Sequence, residues 1–280
     1  MIKLTEKIVQ NKNNQNKKKT PNSLEDPYSE KSNLSGLKGF LETLLKKFRT
    51  GAFISALLPV YFLAIIAMGL AAAPGIYVFS YIFHLTPALA DVVRYPILGI
   101  AAVCAYFLYG FSIIFIIPLL NWLNPFKLKP FRGSYFSLQS IPWYVHNALL
   151  YIVRYTFLEF ITPTPLNILF YRMMGMKIGK GVQINTTNIS DACMIELEDR
   201  VTIGGSAHLL AHYGQHGYLV VSSLKIRKNA TIGLKATIMG DTDIGEGALI
   251  SPHEVVLPKS IVPAGRKPEK LIYSVENNKK

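Results

Sequence analysis

Between residues 226 and 262 an aliphatic residue recurs at every sixth position: Ile226, Ile232, Ile238, Ile244, Ile250, Val256 and Val262. Four residues after each of the first six stand Ala230, Ala236, Thr242, Ala248, Glu254 and Ser260, all small except Glu254. A helix repeats near 3.6 residues and a lone strand at 2, so neither accounts for a strict period of six. A parallel β-helix does. Each six-residue unit is a short strand plus a corner, and the aliphatic side chain points inward to stack on its equivalent one coil away. The small residue falls near the corner, where a larger side chain does not fit.

Upstream the register is looser. Ile178 and Ile184 are six apart, as are Leu197, Ile203 and Leu209, with Val182, Val201 and Ala207 at the small position, so the solenoid begins near residue 178. Between Leu209 and Ile226 the ladder is broken by the segment 211–218, which contains His212, Gly214, His216 and Gly217. Interruptions of a repeat map to loops on one face, often the functional one.

The region before the solenoid is of another kind. Residues 52–90 and 95–126 contain no Asp, Glu, Lys or Arg, and each run exceeds the ~20 residues that span a bilayer. Pro59, Pro74, Pro96 and Pro118 mark helix starts, kinks or ends. Lys46, Lys47 and Arg49 precede the pair and Lys127, Lys129 and Arg132 follow it, whereas Asp91 and Arg94 leave the connection nearly neutral. The positive-inside rule then predicts a helical hairpin in the inner (cytoplasmic) membrane, with the N-terminus and the C-terminal domain both cytoplasmic. Residues 137–160 are apolar and aromatic but interrupted by Pro142, His146, Arg154 and Glu159, which predicts an interfacial or re-entrant helix. A third span is the alternative and would put the C-terminal domain outside. Leu37, Leu41, Leu44, Leu45 and Phe48 recur at helical spacing among basic residues. This is the pattern of an amphipathic helix lying on headgroups, or else the end of the next helix.

The expected organisation is a basic disordered tail over 1–36 and an amphipathic helix with two spans over 37–132. An interfacial helix and connector over 133–169, the β-helix over 170–268 and a tail over 269–280 complete it. Half the residues are hydrophobic, and of the net charge of +13 a large share lies in the first fifty residues, with eleven Lys/Arg against five Asp/Glu. A basic surplus on such a chain points to anionic headgroups, at ~1 kcal/mol per cation. Nucleic acid is not an expected partner, because basic and aromatic residues do not interleave on any recognisable binding module. Cys104 and Cys193 lie in unlike surroundings, so no disulfide framework is expected.

The hexads Ile226-Arg-Lys-Asn-Ala230, Ile232-Gly-Leu-Lys-Ala236 and Ile244-Gly-Glu-Gly-Ala248 resemble those of the hexapeptide-repeat acyltransferases. That resemblance implies a left-handed parallel β-helix with three hexads per coil, a homotrimer, and acyl transfer from acetyl-CoA or another acyl-CoA to a hydroxyl or amine. It also implies a His general base in a loop that leaves the ladder. A His with a pKa near 6.5 suits that work at neutral pH. His212 matches best, since the tract from Ile203 runs off the ladder into a His-containing loop; His216 is the runner-up, and decoration of a polar loop is the alternative for either. His208, His212 and His216 are spaced by four, which on a helix would suit zinc. The setting is strand-forming and contains Gly214 and Gly217, so no metal is expected. His253 falls at a turn of the ladder and reads as structural.

A closer resemblance, over roughly residues 100–270, is to the membrane-embedded terminal region of nonribosomal peptide synthetases of the ε-poly-lysine synthetase type. It is carried by Pro163-Thr-Pro165, the stretch from Phe170 to Ile184, and the ending from Val255 to Gly265. This chain departs from that pattern in having one copy and no adenylation or carrier domain, and a homotrimer would supply the missing neighbours. The leading expectation is a membrane-anchored acyltransferase acting on a membrane-proximal acceptor such as a surface-glycan precursor, lipid or peptide intermediate. The other is a non-catalytic scaffold, with a synthetase or carrier protein as possible partner.

Overall fold

The computed structural model describes residues 26–267. Of the expected tails, 1–25 and 269–280 lie outside the described residues, as does residue 268 at the end of the expected β-helix. Residues 26–35 tuck against later parts of the chain: Ser134 Oγ donates to the Pro27 carbonyl at 3.2 Å, and Arg49 Nη2 donates to the Tyr28 carbonyl at 3.0 Å.

Helix α1 (Gly36–Lys47) is amphipathic in an unusual sense. It buries Glu42 and Lys46, paired at 3.1 Å, and Glu42 also accepts from the Leu138 N–H at 3.1 Å. Leu37, Phe40, Leu41, Leu44 and Phe48 are left exposed. Helices α2 (Arg49–Leu85) and α3 (Asp91–Leu123) follow as an antiparallel pair. Pro59, Pro74, Pro96 and Pro118 all lie inside these helices. The two come close at Gly75, where a Cβ would stand 2.4 Å from the Ala105 carbonyl oxygen. Small residues let helix backbones meet in this way. Both helices are long and apolar enough to cross a membrane, over Leu57–Leu85 and Asp91–Leu123. Most of their large side chains are uncovered, among them Phe62, Ile65, Tyr77, Ile100 and Trp122.

Strand β1 (Phe131–Ser134) leads to α4 (Ile141–Thr156) and, after Thr164 has capped the Leu166 N–H, to α5 (Pro165–Met173). The segment expected to be interfacial is thus a 16-residue helix, wedged between α3 and the solenoid. Leu149, Leu150, Val153 and Phe157 form one continuous core with Ile113, Ile114 and Ile117 of α3 on one side and the inward ladder residues on the other. Gly110 lies directly under Phe157, whose ring carbons come within 2.1 Å of where a Cβ would be.

The solenoid runs as three parallel sheets, one per side. Strands β2 (Lys177–Ile178), β3 (Gln183–Ile184) and β4 (Ile189–Ser190) begin the first coil. β5 (Ile195–Leu197), β6 (Thr202–Ile203) and β7 (His208–Leu210) make the second. An antiparallel hairpin, β8 (His212–Gln215) and β9 (Tyr218–Val221), then leaves the coil. It returns into β10 (Leu224–Ile226), β11 (Thr231–Ile232) and β12 (Thr237–Ile238). β13 (Thr242–Ile244), β14 (Leu249–Ile250), β15 (Val255–Val256) and β16 (Ile261–Val262) complete the described ladder. It is the left-handed β-helix expected from the repeat.

The expected stacking holds residue by residue: Leu197, Ile226, Ile244 and Val262 on one side, Ile184, Ile203, Ile232 and Ile250 on the next, Leu209, Ile238 and Val256 on the third. Burial of each such side chain contributes ~1.5–3 kcal/mol. The residue before each small position takes the left-handed conformation, as at Asn229, Lys235, Asp241, Gly247, His253 and Lys259. His253 is one of these exposed corners. Glu254 fits a small-residue site because its carboxylate accepts from the Ser251 N–H at 2.9 Å and pairs with Arg266 at 2.5 Å.

Candidate active site

Two departures from the six-residue register meet at one place. The first is in the first coil. Ile184 and Leu197 sit thirteen apart where twelve would keep the register, and the extra residue is absorbed by a turn of 3₁₀ helix at Ala192–Met194. Asp191, just before it, takes the left-handed corner conformation (φ 55°) that Asp tolerates better than most residues. Unlike the other corners it is fully buried.

The second departure is the hairpin. Ile226 pairs with Ile244 eighteen residues on, but Leu197 pairs with Ile226 twenty-nine residues on. The eleven additional residues form β8, β9 and their connections, and β1 adds to β9 antiparallel, giving a three-stranded sheet beside the coil. The interruption read from sequence as a loop is therefore mostly strand. His216 and Gly217 are its two-residue turn, both with positive φ. Such turns match the twist of the strands they join.

His212 stands at the base of this hairpin, opposite Val221. Its Nδ1 lies 2.5 Å from Asp191 Oδ2. Asp191 is held in turn by Asn147 of α4: Asn147 Nδ2 donates to Asp191 Oδ1 at 2.7 Å, and the Asp191 N–H donates to Asn147 Oδ1 at 3.0 Å. An ionised carboxylate only accepts, so His212 carries its proton on Nδ1 and offers the Nε2 lone pair. Trp143, one turn before Asn147, packs edge-on against the imidazole with ring centroids 5.0 Å apart. Its indole N–H is buried and has no acceptor among the described residues.

Trp143, Asn147, Tyr151 and Arg154 form one stripe of α4 laid along the corner. Tyr151 OH meets Ser190 Oγ at 2.8 Å, and Arg154 Nη2 donates to Asn188 Oδ1. This stripe escaped the sequence reading, although spacings of four, four and three in an otherwise apolar run were a visible signal. Cys193 is close by, but burial, followed by the charge of Asp191, pushes its thiol up to about 12, so it is not a thiolate nucleophile at neutral pH. His146, on another face of α4, is buried with Nδ1 3.1 Å from Asn121 Oδ1, and burial lowers it to about 4 despite the opposing effect of Asp191.

His212 lines a cavity of about 340 Å³ whose walls come from α1 (Leu45), α2 (Leu57, Val60), the β1–α4 connection (Tyr135) and α4 (Trp143, Tyr144). His216 is exposed at the hairpin tip, and His208 is exposed on the outer side of β7. The structure thus brings Asp191 and Asn147 to His212 and brings neither His208 nor His216. Among the described residues no group of three or more His, Cys, Asp or Glu is placed to hold a metal ion.

No family model matches the chain. It is similar to the Delta-poly-L-ornithine synthetase of Acinetobacter baumannii, 21% identical over 168 residues, a match that covers 59% of this chain but only 12% of the synthetase. Among solved structures it is similar to the serine acetyltransferase of Neisseria gonorrhoeae, with 17% identity, 75% of this chain and 66% of that one covered, and a TM-score of 0.33. It is also similar to the serine acetyltransferase of Brucella abortus strain S19 in complex with coenzyme A, with 16% identity, coverage of 83% and 78%, and a TM-score of 0.33.

Proposed function

We propose that the protein is a membrane-anchored acyltransferase in which His212 is the general base. The observation that carries this reading is the relay Asn147–Asp191–His212 beside an open cavity. Asp191 fixes the imidazole's tautomer and orientation and stabilises the imidazolium that forms. His212 Nε2 takes the proton of an acceptor hydroxyl or amine as its oxygen or nitrogen attacks the carbonyl of an acyl-CoA thioester. The new C–O or C–N bond forms, the C–S bond breaks, and the proton passes from His212 to the departing sulfur. A buried carboxylate costs several kcal/mol unless paired, and a purely structural solenoid corner has no need of one.

The membrane assignment rests on α2 and α3, whose uncovered apolar surface far exceeds what water-exposed domains carry, and on the basic flanks, which favour cytoplasmic termini. α1 supports it independently, since a helix that buries its ion pair and presents Leu37, Phe40 and Phe48 outward is built to face headgroups and acyl chains. A homotrimer is the assembly we expect of the β-helix.

The test is transfer from acetyl-CoA by the full chain in detergent or nanodiscs. His212→Ala should leave the fold and CoA binding intact and lower kcat by roughly 10² to 10⁴, the worth of a positioned base. His216→Ala should do much less. The reverse ranking would move the base to His216, and indifference to both would leave a non-catalytic module.

A further inference from the structure

Resting on the acyltransferase reading, we infer that the acceptor is an amphiphile whose hydrocarbon chain lies in the cavity beside His212 and enters it from the bilayer. Among the described residues the lining is apolar and aromatic over nearly its whole extent and contains no Lys, Arg, Asp or Glu; Asp191 is fully buried behind His212. A free amino acid brings an ammonium and a carboxylate, and neither would find a partner here, so it would be desolvated without compensation. A hydroxyl or amine at the end of an apolar body meets no such penalty. Its chain packs against Leu57, Val60 and Trp143, and its one polar group reaches the imidazole of His212, which lines the same cavity.

The wall identifies the source of the chain. Leu57 and Val60 belong to α2 at the start of its membrane-length run, and Leu45 belongs to α1, whose neighbours Leu41, Leu44 and Phe48 are exposed. The cavity is therefore bounded by two elements whose apolar surfaces the described residues leave uncovered. A lipid can pass between them without its chain meeting water.

The probe is a long-chain fatty alcohol carrying a photoreactive diazirine, added to the full chain in nanodiscs and irradiated, with labelled peptides mapped by mass spectrometry. Labelling is expected at the peptides holding Leu57, Val60 and Trp143. Val60→Trp, which fills the cavity, should lower labelling of the Trp143 peptide by about tenfold, whereas Ile65→Trp on the exposed side of α2 should leave it unchanged. Leu57→Trp serves if Val60→Trp does not fold. Absence of label at Trp143, or protection from label by free serine, would overturn the inference. Protection by a long-chain acyl-CoA, and not by total membrane lipid, would assign the chain to the donor and overturn it equally. Labelling does not depend on turnover. Label at Trp143 without acyl transfer would retain the lipid site and sink the catalytic reading, while transfer to a soluble acceptor without label would do the opposite.

Discussion

Asp191 and His253 occupy the same kind of solenoid corner, with φ of 55° and 61°, and share almost nothing else. His253 faces solvent, its N–H bonded to the Leu234 carbonyl at 2.8 Å, in a coil that keeps strict register. Asp191 lies under α4, in a coil one residue too long, with its carboxylate shared between His212 and Asn147. The backbone of a repeat dictates conformation at each corner; what lies over the corner dictates its chemistry. Covering one of many equivalent turns thus gives a solenoid a corner unlike the rest.

The difference can be probed first through activity. Asp191→Asn keeps the shape but cannot stabilise the imidazolium, and acetyl transfer should fall by roughly 10² to 10⁴, a loss of the size seen when a positioned acid–base group is disabled. His253→Asn should leave turnover alone. A shared effect would mean that both corners act only through the coil's stability.

The inward ladder sets the next scale. Ile238→Asp places an unpaired charge in a stacked aliphatic core and should cost several kcal/mol in chemical denaturation unless the group neutralises. Lys235→Asp, three residues earlier on an outward corner, should cost little. Equal tolerance would mean that the register has been misassigned.

Acid tests the covering helix. His146 is held near 4 in the folded chain and titrates near 6.5 when unfolded, so the unfolded state binds the extra proton between those values. Stability should therefore decline as pH falls from about 6.5 to about 4, by on the order of 3 kcal/mol. His146→Leu should flatten that slope in a pH series of melting temperatures. The smallest effect belongs to the exposed corner: His253→Gly relieves the left-handed backbone but frees the unfolded chain, and should change stability by no more than about 0.5 kcal/mol.

The ladder was legible because stacking imposes one residue type at one spacing, and the helical pair because apolar runs of that length have few other uses. His212 stood out as part of the break. Its partners did not, because Asp191 and Asn147 are single polar residues whose meaning comes from contact across 44 positions. The thirteen-residue step from Ile184 to Leu197 was the trace Asp191 left in the sequence. The buried pair on α1 was hidden for a related reason: Glu42 and Lys46 do not stand out in sequence, and Glu42 gains its role by accepting from the distant Leu138 N–H.

Strand β1 completes the hairpin sheet, pairing Phe131 with Val221. That pairing makes the hairpin depend on a strand that precedes the solenoid in the chain. The hairpin sheet needs β1, and the corner at Asp191 needs Asn147 of α4; both lie outside the solenoid they complete. A fragment beginning at residue 170 could wind its coils, yet it would emerge with an unsupported hairpin and an imidazole lacking Asn147 and Trp143 around it. Under the proposed function, the coils alone would therefore be inert.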